Sequence, residues 1–270
     1  MKQFALFIGM TALIAACQKK IDIDLNEAGP KLVIEANYNA EDSMVFVRIT
    51  ETASYFGSSS EPIVETAGVT ITDQSGNATV VPYSSNGNYI LHDYIPQFNT
   101  TYTLYVEHNG VTYSASCELN AIVPQSDIFI EQSTQAIGGG VQGGESSDDT
   151  TYIAFLVFQD PAAPGDFYQG EYTVNGAVKS GIENMILLND DLTNGNMVTF
   201  PVFGRTFKQG DSLEIDFRAV DKTIYDYFTE LQTLTETNSA APANPDYFWS
   251  NGALGYFNAY GSSKKFVIFP

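Results

Sequence analysis

The sequence predicts a mainly β protein: an N-terminal antiparallel β-sandwich followed by a second β-rich domain carrying one α-helix. Three observations lead there. Short runs of β-branched and aromatic residues, many alternating polar with apolar, recur along the chain between Gly, Asn, Asp and Pro. Charged residues make up only 16% of the 270 positions, below the ~25% usual for soluble domains, while 16 Tyr, 18 Phe and 22 Gly are present. Helical periodicity is convincing in a single stretch, residues 221–236.

Taken in order, the first strands are Leu32–Tyr38, Met44–Thr50, Val69–Thr72 and Thr101–Val106. Asn109 and Gly110 separate the last from Val111–Cys117, and Asn-Gly is the strongest short hairpin signal because both residues tolerate positive φ. Gln74–Asn77 and Asn86–Asn88 are further turns. Together these strands define a sandwich over residues 31–122, and a junction at Ile122–Ser126 opens the second domain, residues 123–270. There, Ile128–Ile130 precedes a glycine-rich loop, and Tyr152–Phe158 is too apolar for an edge and reads as a central strand. Strands follow at Phe167–Val174, Met185–Leu188, Met197–Phe203 and Ser212–Ala219. In the helix Asp221 serves as N-cap, and Ile224, Tyr227, Phe228, Leu231 and Leu234 form one apolar stripe before Pro242 and Pro245. The closing segment ends in an apolar strand, Lys265–Pro270, expected in the second sheet.

The N-terminus carries a different kind of information. Met1, Lys2 and Gln3 lead into an apolar run from Phe4 to Ala16, the pattern of a secretory signal peptide and too short for the ~20 residues that span a membrane. Leu13–Cys17 resembles a bacterial lipobox, in which the cysteine is acylated and becomes the first residue of the mature chain. An ordinary signal cleaved after small residues is the alternative. Residues 1–16 are therefore expected to be a lipoprotein signal peptide, Cys17 the lipidation site, and 17–30 a lipidated tether; two or more acyl chains give stable attachment. Gln18 after the cysteine fits sorting to the outer membrane. Cys117, the only other cysteine, is then expected as a free buried thiol.

Charge and inventory exclude much else. Twelve Lys+Arg against 32 Asp+Glu give a net charge of −20, which leaves no basic patch for nucleic acid and favours neutral or cationic ligands. The two histidines, His92 and His108, supply too little for a triad or zinc site, and His108 reads as a solvated turn residue. Gly138–Gly140, Gly143 and Gly144 lack the strand-to-helix context of a phosphate loop. No cofactor is expected, with calcium the one candidate: Asp148, Asp149 and Asn189–Asp191 carry hard oxygen donors, though without EF-hand order. Hydrolysis by paired carboxylates would need two acids ~5–10 Å apart in a cleft. Aromatic clusters at Tyr55-Phe56, Tyr247-Phe248-Trp249 and Tyr256-Phe257 have two readings. They plug the second core, or they form a stacking platform for a glycan or a dry patch against a protein or peptide partner, with Tyr247, Phe248 and Trp249 the contact candidates.

Residues 67–117 resemble transthyretin-like and carboxypeptidase-regulatory-like β modules in composition and order, within the Ig-like class of sandwiches. A broader resemblance follows from Lys31–Glu35, Phe158–Pro161, Gly165–Tyr168, Asn189–Asp191, Gly210–Leu213, Ile224–Phe228, Asn244-Pro245, Ser250-Asn251 and Leu254–Phe257 taken in that order. With the lipobox, they resemble the Bacteroidota outer-membrane lipoprotein family called domain of unknown function 4249, over nearly the whole mature chain. The resemblance implies a β-rich lipoprotein encoded near TonB-dependent transporters, in a family with no established catalytic or ligand residue. The expectation is a non-enzymatic, lipid-anchored accessory or binding component at the cell surface, associated with a TonB-dependent transporter. A glycan-binding surface lipoprotein using exposed aromatics is the alternative.

Overall fold

The computed structural model describes residues 29–53, 61–133, 150–202, 206–236 and 248–270. Alternation shapes the first strands. In β1 (Leu32–Asn39) and β2 (Met44–Glu51), Leu32, Ile34, Ala36, Tyr38, Val45, Val47 and Ile49 are buried on one face, leaving Glu35, Asn37, Asn39, Phe46 and Arg48 on the other. There follow β3 (Gly68–Thr72), β4 (Ala78–Val80), β5 (Tyr83–Ser85), β6 (Asn88–Leu91), β7 (Thr100–His108) and β8 (Val111–Leu119). The Asn-Gly turns form as expected: φ is 52° and 76° at Asn86 and Gly87, and 50° and 76° at Asn109 and Gly110.

The second half supplies β9 (Gln125–Ser133), β10 (Thr151–Gln159), β11 (Phe167–Val174), β12 (Ala177–Val178), β13 (Ile186–Asn189), β14 (Met197–Pro201), β15 (Phe207–Lys208) and β16 (Ser212–Val220). Helix α1 (Lys222–Glu236) and the 15-residue β17 (Leu254–Ile268) complete it. Asp221 caps α1, its Oδ1 accepting the Thr223 amide at 2.7 Å while Oδ2 accepts the Glu118 amide of β8 at 2.9 Å. Ile224 and Phe228 put the apolar stripe into the core.

One nine-stranded sheet runs through the molecule in the order β12-β11-β16-β17-β1-β2-β6-β5, with β13 also on β11. Two four-stranded sheets accompany it: β4-β3-β7-β8, and β14-β10-β15 with β9 on the other side of β10. The first contributes Val69, Ile71, Tyr102, Leu104, Ala115 and Cys117 to a core shared with Ile34, Tyr38 and Val47. The second packs Ala154, Leu156, Phe158 and Phe207 against Tyr168, Ile215, Phe217 and Phe269, with ring centroids 4.6 Å apart for Phe158–Phe217 and 4.3 Å for Phe207–Phe269. The architecture is thus mainly β, as the sequence predicts.

The division at residue 122 needs correction. The terminal strand does not stay in the second half: β17 lies parallel to β1, from Val33 opposite Leu254 to Asn39 opposite Tyr260, while its far end pairs antiparallel with β16. The first core accordingly takes in Val220, Ile224, Phe228, Trp249, Phe257 and Ala259. Even the junction is fixed in place, because the Gln125 amide nitrogen donates to Ser263 Oγ and its side chain donates to the Ile215 and Ser263 carbonyls. Two cores exist, but the chain does not divide between them at one point.

Candidate functional site

The long sheet turns one face to the two smaller sheets, and a groove of about 280 Å³ opens on its other face. Register creates it. Asn37 lies opposite Phe46 on one side and Asn258 on the other, and Asn39 lies opposite Met44 and Tyr260. Asn37, Asn39, Tyr256 and Tyr260 give the groove a polar and aromatic wall, Met44 and Phe46 an apolar one, and Glu171 of β11 and Arg218 of β16 close it. Its volume falls just under the ~300–1,000 Å³ of typical small-molecule pockets, which suits a ring or a short segment better than a large cofactor.

Arg218 is the electrostatic centre of this face. It is 8% exposed, and its Nη2 donates to Glu171 Oε2 at 2.8 Å and to Asp216 Oδ2 at 2.9 Å. Its guanidinium carbon sits 4.2 Å from the Tyr260 ring centroid. Burial works against the charge, yet Tyr260, Asp216 and Glu171 outweigh it and hold the guanidinium pKa above its ordinary value. Arg218 Nε, Asp216 Oδ1 and Asn258 Oδ1 are nevertheless buried without a hydrogen-bond partner among the described residues. Burial also pushes the Tyr256 and Tyr260 hydroxyls up, so both remain protonated at neutral pH.

Of the residues singled out from the sequence, Tyr256 lines this groove. Cys17, Tyr247, Tyr55, Phe56, Asp148 and Asp149 fall outside the described residues. Trp249 is 2% exposed and donates its indole N–H to the Ile34 carbonyl at 3.0 Å, so it fills the first core and presents no platform. Its neighbour Phe248 is half-buried against Tyr227, with ring centroids 6.0 Å apart. Trp249 and Phe257 therefore plug a core as expected, but that core is the first, because β17 returns there.

His108 also differs from expectation. Its side chain is only 12% exposed, Nδ1 is buried without a partner among the described residues, and Nε2 lies 3.9 Å from Glu51 Oε1 at the end of β2. His92 is exposed just past β6. Cys117 is a buried free thiol that accepts the Ala259 amide at 3.3 Å, and burial drives its pKa upward, away from nucleophilic use.

The acids at 189–191 act as loop fasteners. Asp190 Oδ2 accepts the Gly165 amide at 2.7 Å, and Asp191 Oδ2 accepts the Asn189 side chain at 2.9 Å. Nearby, Asp160 accepts the Tyr168 hydroxyl at 2.5 Å and the Gly195 amide at 3.0 Å. No group of three or more His, Cys, Asp or Glu among the described residues is arranged to hold a metal ion. Nor is any described helix long and apolar enough to cross a membrane.

A second surface lies on the outward face of β10. Ile153, Phe155 and Val157 stand half-exposed there, between Phe129 of β9 at 51% exposure and Met197 of β14 at 56%. Asp127 and Glu131 flank the patch at register positions opposite Val157 and Ile153. The apolar reading of residues 152–158 was correct, but only alternate residues are fully buried.

A family model described as Domain of unknown function (DUF4249) matches residues 18–265. No curated protein matches the chain. Among solved structures, the FN1–FN3 domains of chicken CNTN1 are similar at 10% identity, over 71% of this chain and 61% of that one, with a TM-score of 0.25. The chain thus spans less than two thirds of that structure.

Proposed function

We propose, for a chain that belongs to the DUF4249 family, a non-enzymatic role as a lipid-anchored binding component of the cell envelope, held in the outer membrane through Cys17 and working beside a TonB-dependent transporter. The anchor rests on the Leu13–Cys17 motif following an apolar leader. The observation that carries the binding role is the groove: a nine-tenths buried arginine stands beside two tyrosines and two asparagines in the middle of a continuous sheet, with a donor atom left unmatched. Anchoring confines both partners to two dimensions and raises their effective concentration, so a weak interface suffices. The apolar patch around Phe129 and Met197, rimmed by acids, supports contact with an integral membrane partner.

Mass spectrometry of native material is expected to find an acylated Cys17 as the N-terminal residue. A photo-crosslinker placed at Phe129 in cells is expected to recover an outer-membrane transporter from the wild type and to lose it in Cys17→Ser. Unmodified Cys17, or a crosslink pattern without any outer-membrane protein, would overturn the reading.

A further inference from the structure

We infer that the groove between β2, β1, β17, β16 and β11 binds a neutral saccharide, a proposal that rests on its being a binding site and names the ligand class. The unmatched atoms carry the argument. Arg218 Nε is a donor and Asn258 Oδ1 an acceptor; both residues are more than nine-tenths buried, and neither atom has a partner among the described residues. Asn258 lies between the lining residues Tyr256 and Tyr260 on the same strand face, and its Nδ2 is already committed to Gln169 Oε1 at 3.0 Å. Buried polar atoms are rarely left alone, since each costs roughly 1–3 kcal/mol. A hydroxyl both donates and accepts, so one entering the groove can accept from Arg218 and donate to Glu171, which lines the groove beside it.

Charge narrows the class. The guanidinium is already matched by Glu171 and Asp216. The same region holds Glu35 and Glu61 with Arg48 and Glu41 with Lys264, so in these ion pairs the five carboxylates outnumber the three cations. An anionic sugar would meet no free positive charge. Phe46 and Met44 offer an apolar wall for the C–H face of a pyranose, while the side-chain amide of Asn37 and the protonated tyrosine hydroxyls add directional contacts; the Asn39 amide is committed to the Glu41 amide and Asp42. A peptide fits less well. Extended peptides add to sheet edges, whereas here β1 and β17 are central strands whose backbone groups are committed to neighbours on both sides.

The test is calorimetric titration of the full chain in detergent with neutral hexasaccharides (cellohexaose, maltohexaose, mannohexaose, xylohexaose) and with an anionic hexagalacturonate. At least one neutral hexamer is expected to bind with Kd below about 1 mM, and hexagalacturonate at least tenfold more weakly. Phe46→Ala and Met44→Ala, partly exposed lining positions outside both cores, should each weaken binding tenfold or more without moving Tm. Absence of binding by every neutral hexamer, tighter binding of the anionic one, or indifference to both substitutions overturns the proposal. If the Phe129 crosslink to a transporter persists while saccharide binding fails, only the ligand class falls.

Discussion

Gly255 shows how narrowly one position can be specified. Its φ is +98°, and an added Cβ would lie 2.1 Å from the Ile34 carbonyl oxygen, the same oxygen that accepts the Trp249 indole. Gly255→Ala is expected to lose on the order of 2–3 kcal/mol, whereas Gly176→Ala, at φ +75° but in open space, should lose about 1 kcal/mol. Urea unfolding of both variants checks this, and equal losses would contradict the close approach. Asp166 provides a pH-dependent test. Burial, then Asp160 and Asp190, raise its pKa, so the folded chain favours the protonated form more than the unfolded chain does; that contribution is present below the ordinary carboxylate pKa and is lost as pH rises through the folded value. Asp166→Asn should therefore raise Tm at pH 7 by a few degrees at most and give no gain below about pH 3.5. A gain of equal size at both pH values would disprove the electrostatic cause. Among functional residues, Arg218 was missed because a single arginine in the strand run Ser212–Ala219 gives no sign of its neighbours; Glu171 and Tyr260 come from strands 47 and 42 residues away.

At the level of elements, strands with a buried and an open face were legible because period-two alternation writes that asymmetry directly into the chain. Phe167–Val174 and the helix up to Glu236 were read with those limits, and β1, β2, β7 and β8 to within two residues. Strands of two or three residues, such as β4, β12 and β15, are too short to express a period. β17 was read in separate pieces because Gly255, Gly261, Ser262, Lys264 and Lys265 interrupt its apolar pattern. Its parallel partner lies more than 200 residues upstream, information that no local window contains. The groove was invisible for the same reason, since Asn37, Asn39 and Glu171 each look like ordinary solvent-facing residues until register assembles them. The helix offers a sharper test: Asp221→Ala removes a cap and also the acceptor of the Glu118 amide, so a loss of about 1–2 kcal/mol is expected. Asp221→Asn, whose single side-chain oxygen can keep the Thr223 cap but not the Glu118 bond as well, should recover part of it; identical losses in the two variants would argue against capping.

At the scale of the whole molecule, the first core needs both halves of the chain. An isolated fragment of residues 31–122 would lack Ile224, Phe228, Trp249, Phe257 and Ala259 and would expose the edge of β1 that β17 covers. Such a fragment is expected to give a poorly dispersed amide spectrum and to aggregate, while the full chain melts cooperatively; a well-folded fragment would restore the two-domain division. The central place of β1 also governs how the body resists traction. Any pull transmitted from upstream of Lys31 enters a strand bonded along both flanks, antiparallel to β2 and parallel to β17. Such a load acts along the strand, in shear, so many cross-strand links must yield together instead of opening one after another like a zip.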